Sequence, residues 1–110
     1  MNTKKEIKKI IAEHSAELAK GTMGYYSIDR KIWLTDEDYV RVYIWGNEIE
    51  LSLHLHKLRC YAVFTSGIMS DLDSVWRRFR YAYKKRIAEE EEHWHDKKFV
   101  AKLKELYSLL

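Results

Sequence analysis

Proline is absent from this chain, and cysteine occurs once, at Cys60. A lone cysteine excludes an intramolecular disulfide and suits a reducing compartment. It adjoins the apolar run Tyr61-Ala62-Val63-Phe64, which predicts a buried, inert thiol. The glycines Gly21, Gly24, Gly46 and Gly67 are scattered and cannot build a phosphate-cradling loop. No apolar run approaches membrane-spanning length, and no apolar stretch of the signal-peptide kind follows Met1-Asn2-Thr3-Lys4-Lys5. The expectation is a cytoplasmic protein with no membrane partner. Repeats, low-complexity linkers, HExxH, paired CxxC and the nucleophile-elbow pattern are all missing. With nothing to isolate a pair of carboxylates in a pocket either, the reading is a non-enzyme with no catalytic residue and no cofactor.

Charge of one sign is also scarce. Twenty Lys and Arg against seventeen Asp and Glu leave a net charge of +3, too mild for a wholesale polyanion binder. A nucleic-acid reading must therefore rest on how charge is distributed. Aromatics, by contrast, make up 14% of the chain, more than a core of this size needs. The surplus belongs near the surface, where aromatics make contacts.

At 110 residues there is room for one domain and one core, spanning residues 1–110. Thr3-Lys4-Lys5-Glu6 has capping-box spacing, and Ile7, Ile10, Ile11, His14 and Leu18 follow as a helical stripe that closes at Lys20-Gly21. The strongest pattern comes next. Residues Tyr39 to Trp45 alternate, Gly46-Asn47 offers a two-residue turn, and Glu48 to His56 alternate again. Setting Trp45 opposite Glu48 stacks Ile44 on Ile49, Val42 on Leu51 and Val40 on Leu53 on one face. The other face pairs Tyr43 with Glu50, Arg41 with Ser52 and Tyr39 with His54. A slip by one residue would scramble both faces.

An earlier strand is predicted over Lys31 to Thr35, with Thr35-Asp36-Glu37-Asp38 as the turn into the hairpin. A further extended piece over Arg59 to Thr65, after a kink at His56-Lys57, makes a fourth strand or continues the third. Gly67 is expected to end it. Ser70-Asp71-Leu72-Asp73 reads as a helix start with Ser70 as cap, followed by the stripe Leu72, Trp76, Phe79, Tyr83 and Ile87. A last amphipathic helix carries Phe99, Leu103, Leu106 and Leu110. The order αβββ(β)αα makes a two-layer α+β protein with an antiparallel three- or four-stranded sheet. One sheet face carries the helices and the other stays bare.

That bare face is expected to display Tyr39, Arg41, Tyr43, Trp45, Glu48, Glu50, His54 and His56. Aromatics with Arg on an open sheet stack bases or anchor a protein interface, and two carboxylates among them favour the protein. The plainer reading is that cross-strand pairs merely stabilise an exposed sheet. On the second helix, Arg77, Arg80 and Lys84 share a flank able to line a phosphate track, although a solvated helix face explains such a run too. The acids Glu89-Glu90-Glu91-Glu92, with Asp96, either neutralise those cations through i,i+4 pairs or form an acidic knob for a basic partner. His54 and His56 share a strand face, as two metal ligands would, whereas His93 and His95 do not converge on a helix. The metal alternative needs further ligands from Glu37, Cys60 or the Glu run.

The αβββα order resembles double-stranded RNA-binding domains, whose second helix opens with lysines that straddle a groove. Here that position reads Ser70, Asp71 and Asp73, which repel phosphate, and the family is set aside. Gly46-Asn47-Glu48 at the hairpin tip and Glu89–Glu92 with Asp96 late in the chain resemble small phage-encoded anti-CRISPR proteins of αβββαα type. In that family such a tip and acidic stretch dock where target DNA binds. The chain departs from the family's acidic example in its net positive charge.

The resemblance implies a phage or mobile-element inhibitor of a host protein or ribonucleoprotein complex. The bare face, the hairpin tip and the acidic run together give the expected partner contacts Tyr39, Arg41, Tyr43, Trp45, Asn47, Glu48, Glu90 and Glu91. The alternatives are a nucleic-acid-binding module using Arg77, Arg80 and Lys84, and a metal-binding protein. The chain is expected to be a monomer or a small homo-oligomer.

Overall fold

A computed structural model describes residues 2–21, 26–93 and 96–110. Helix α1 (Thr3–Ala19) leads into strands β1 (Ser27–Trp33), β2 (Tyr39–Trp45), β3 (Glu48–His54) and β4 (Val63–Ile68), followed by helices α2 (Leu72–His93) and α3 (Lys97–Leu109). The fold is α+β. The four strands form one antiparallel sheet whose spatial order, β1-β2-β3-β4, is also the chain order.

The β2–β3 hairpin has the register that its alternation requires, from Trp45 opposite Glu48 to Tyr39 opposite His54. Gly46 at the turn has φ of +59°, a conformation that costs any residue with a Cβ. Val40, Val42, Ile44, Ile49, Leu51 and Leu53 are all fully buried beneath the helices. They join Ile7 of α1, Val75, Phe79 and Tyr83 of α2, and Leu103 and Leu106 of α3 in one contiguous apolar cluster.

Several expectations need correction. The α1 cap is Asn2, whose side chain accepts from the Lys5 amide at 3.0 Å. Thr3 is instead the first helical residue, and its hydroxyl is buried without a partner among the described residues. Strand β1 starts and ends earlier than Lys31 to Thr35, because Leu34 and Thr35 already turn to bond the Asp38 carbonyl. Strand β4 is a separate strand and begins later than Arg59, leaving Cys60 exposed in the connection rather than buried. Gly67 lies within β4 and does not end it. A Cβ there would meet Arg78 Nη2 and, at 2.6 Å, Val75 Cγ2, so glycine admits α2 close against the strand. A short 3-10 turn, Met69–Asp71, precedes α2, and Asp71 rather than Ser70 accepts from a first-turn amide, that of Ser74 at 3.4 Å.

The kink after β3 is real, with Lys57 at φ of +68°. Buried Asp38 holds this corner together. Its carboxylate accepts from the His56 amide at 2.9 Å, the Thr35 hydroxyl at 2.7 Å and Lys102 Nζ at 3.1 Å. Burial alone would raise its pKa, but these three donors overcome that cost and hold it below the usual carboxylate value.

Candidate functional site

Strand pleating sends alternate side chains to the face that no helix covers. Register places Asp29, Lys31 and Trp33 of β1 there, with Tyr39, Arg41, Tyr43 and Trp45 of β2. Glu48, Glu50, Ser52 and His54 of β3 and Phe64, Ser66 and Ile68 of β4 complete the face. Its large apolar groups are left in solvent. Ile68 is 60% exposed and Trp45 50%, with Trp33, Tyr61 and Phe64 also exposed. A row of rings crosses one end, where Tyr39 lies against Trp33 at 4.9 Å and stacks on His54 at 4.9 Å. Tyr61 packs on Phe64 at 5.0 Å beside it.

Charge on this face is largely self-neutralised. Arg41 binds Asp29 through two hydrogen bonds, of 2.9 and 2.7 Å. That paired geometry raises the Arg41 pKa and lowers that of Asp29, in each case chiefly through the hydrogen bonding. Among the described residues, Glu48 and Glu50 have no ion-pair partner. Lys31 lies 4.8 Å from the Tyr39 ring. Here aromatic and acidic groups are at hand, and a run of free cations is not.

The face brings together Tyr39, Arg41, Tyr43, Trp45 and Glu48, with Asn47 at the adjoining tip. That tip is tied down by its backbone: His14 bonds the Gly46 carbonyl at 3.0 Å and the Met69 amide donates to the Asn47 carbonyl at 2.7 Å. Glu90 and Glu91 do not join it. Helix α2 starts beside the tip, and eighteen residues at about 1.5 Å rise carry Glu90 roughly 27 Å along its axis. Glu90 is buried and paired with Arg86 at 2.8 Å, the i,i+4 neutralisation that its spacing allows, and Arg86 also donates to the Ala62 carbonyl. Glu91 pairs with Lys104 at 2.5 Å.

His56 sits past the end of β3, exposed in the bend, so it does not share the face with His54. His54 is bonded to Ser52 at 2.9 Å. Among the described residues, no group of three or more His, Cys, Asp and Glu side chains is placed to hold a metal. His95 and Trp94 lie outside the described residues.

Arg77, Arg80 and Lys84 do meet, on the side of α2 away from the sheet. They line an open groove of about 570 Å³ with Lys4, Asp73, Trp76, Tyr81 and Tyr107. Nothing in the sequence pattern places Lys4 of α1 and Tyr107 of α3 in it, since they come from opposite ends of the chain.

These features define a class: a two-layer α+β protein with one uncovered, aromatic-rich sheet face and a separate basic groove on its helical side. No known protein family, curated protein or solved structure matches the chain. Among the described residues, no helix is long and apolar enough to cross a membrane.

Proposed function

We propose that this is a non-enzymatic binding protein that docks a protein partner on its open sheet face. The observation that carries this reading is the concentration of Trp33, Trp45, Tyr61, Phe64 and Ile68 in solvent on one uncovered face. They gather at two ends of that face, Trp33, Tyr61 and Phe64 at one and Trp45 and Ile68 at the other, with the Arg41–Asp29 pair and Glu50 between. Isolated exposed apolar residues are ordinary, but aromatic clusters rimmed by polar groups on one open face mark an interaction surface. Trp and Tyr are the residues that dominate such interfaces, because they bury large area at little entropic cost. Glu48 and Glu50, without an ion-pair partner among the described residues, repel phosphate and favour a partner with basic groups around an apolar centre.

The tip Gly46-Asn47-Glu48 borders Trp45 and Ile68 and fits the resemblance to anti-CRISPR inhibitors. The partner proposed is accordingly a protein of a host nucleoprotein complex, met in the cytoplasm. The test is affinity capture from nuclease-treated host lysate, comparing the native chain with Trp45→Ser/Ile68→Ser, both exposed positions. A specific protein retained by the native chain and lost from the double variant is the expected result. Equal capture by both, or no specific capture at all, defeats the reading.

A further inference from the structure

The groove on the outer side of α2 differs from the sheet face in its electrostatics. Several cations elsewhere are matched with acids: Arg30 with Glu13, Arg41 with Asp29, Arg86 with Glu90, Lys102 with Asp38 and Lys104 with Glu91. Among the described residues, Arg77, Arg80 and Lys84 have no carboxylate partner. The groove's own acid, Asp73, is taken by Lys4 at 2.6 Å, whose hydrogen bond holds the carboxylate below its usual pKa. Three free cations therefore converge on one concave surface.

Aromatic rings are interleaved with them. Trp76 is buried at the base, and Tyr107 forms a wall that Arg80 and Lys84 approach at 5.4 and 5.7 Å. Arg80 donates Nε–H to the Tyr107 hydroxyl at 3.1 Å, which fixes the guanidinium while its two terminal amino groups make no hydrogen bond among the described residues. Tyr81 stands on the rim with 71% of its surface exposed, one helical position from Arg80. A second open groove of about 430 Å³ continues the surface past Lys4, Trp76, Arg80 and Tyr107 towards Ser108.

We propose that this groove binds single-stranded nucleic acid, with Arg77, Arg80 and Lys84 on successive phosphates and Tyr81 stacked on a base. Cations that track a backbone, combined with an exposed ring, are what sequence-tolerant single-strand binding requires. A protein ligand would have to supply acids for all three cations. A duplex gives Tyr81 no unstacked base to meet. The groove faces away from the sheet, so this activity is separate from protein docking there.

The test is fluorescence anisotropy with a fluorescein-labelled oligothymidylate, titrated over a series of salt concentrations. Binding should weaken with salt, and each phosphate contact adds about −0.7 to the slope of log K against log salt. Arg77→Gln/Lys84→Gln should make that slope shallower by roughly 1.4. A control with the same charge change outside the groove, Lys57→Gln/Lys98→Gln, should leave it nearly unchanged. Tyr81→Ala, at a position with little packing to lose, should weaken binding roughly tenfold through lost stacking. Absence of binding at low salt overturns the proposal. So does equal loss of slope in the control pair, or equal affinity for a duplex combined with no effect of Tyr81→Ala.

Discussion

His14 of α1 donates its Nε2 proton to the backbone carbonyl of Gly46 at 3.0 Å, joining the first helix to the tip of the central hairpin. The acceptor is a carbonyl oxygen, so Nε2 must carry the hydrogen, and Nδ1 is left buried without a partner among the described residues. The ring is fully buried and stacks on Tyr26 at 5.3 Å. His14→Ala removes a donor and leaves both a cavity and an unanswered carbonyl, at a cost of about 2–3 kcal/mol. Urea unfolding measures that loss, and faster hydrogen exchange around Gly46 and Asn47 locates it.

Gly67→Ala should destabilise the fold although alanine suits a strand better than glycine does. The added methyl meets Val75 Cγ2 and Arg78 Nη2, and α2 cannot retreat from β4 without opening the core. Overpacking of this kind costs about 1–3 kcal/mol. A melting temperature equal to that of the native chain would rule the close approach out.

Thr3→Val should go the other way. The threonine hydroxyl is buried without a hydrogen bond among the described residues, and valine has nearly the same shape with no polar group to desolvate. Stability should hold or rise by up to about 1 kcal/mol. A marked loss in denaturant titration would mean that the hydroxyl finds a partner, such as a bound water.

Stability should also fall with acid over a window set by His54. Burial first, and then Arg41 and Lys31, push its pKa below the ordinary value of 6.5. Between the folded and unfolded pKa values the unfolded chain binds more protons, so stability rises with pH there. The contribution is fully present above about pH 6.5 and is lost as pH falls through the folded value. Melting curves of the native chain and His54→Gln, recorded from neutral pH down through that window, should converge in slope only if His54 has no part in it.

The hairpin was legible from sequence because both of its strands alternate strictly and Gly46-Asn47 fixes the turn. Strand β4 is poorly marked in the sequence for the opposite reason. Its inward positions Thr65 and Gly67 are not apolar, and at Gly67 α2 packs too close to leave room for a Cβ. Strand β1 hid in the same way, because Arg30 points to the helical face between Ile28 and Ile32 and is answered there by Glu13. Of the candidate site residues, those within one hairpin or one helix turn can be assigned to a common face by periodicity alone. The groove was half visible. Its α2 flank follows from spacing, but the packing of Lys4 and Tyr107 beside it depends on tertiary structure that no local pattern encodes.

Because spatial strand order copies chain order, each strand needs to find only the one just made. Loop-closure entropy is then small at every step, and short-range topologies of this kind fold fast. With no X–Pro bond in the sequence to isomerise slowly, refolding should proceed without a phase of tens of seconds. Helices α1 and α3 depart from this locality, and the hydrogen bond from the Thr3 amide to the Leu110 carbonyl spans nearly the whole chain. That contact, and with it the groove wall around Tyr107, should be the last part of the molecule to assemble and the first to open.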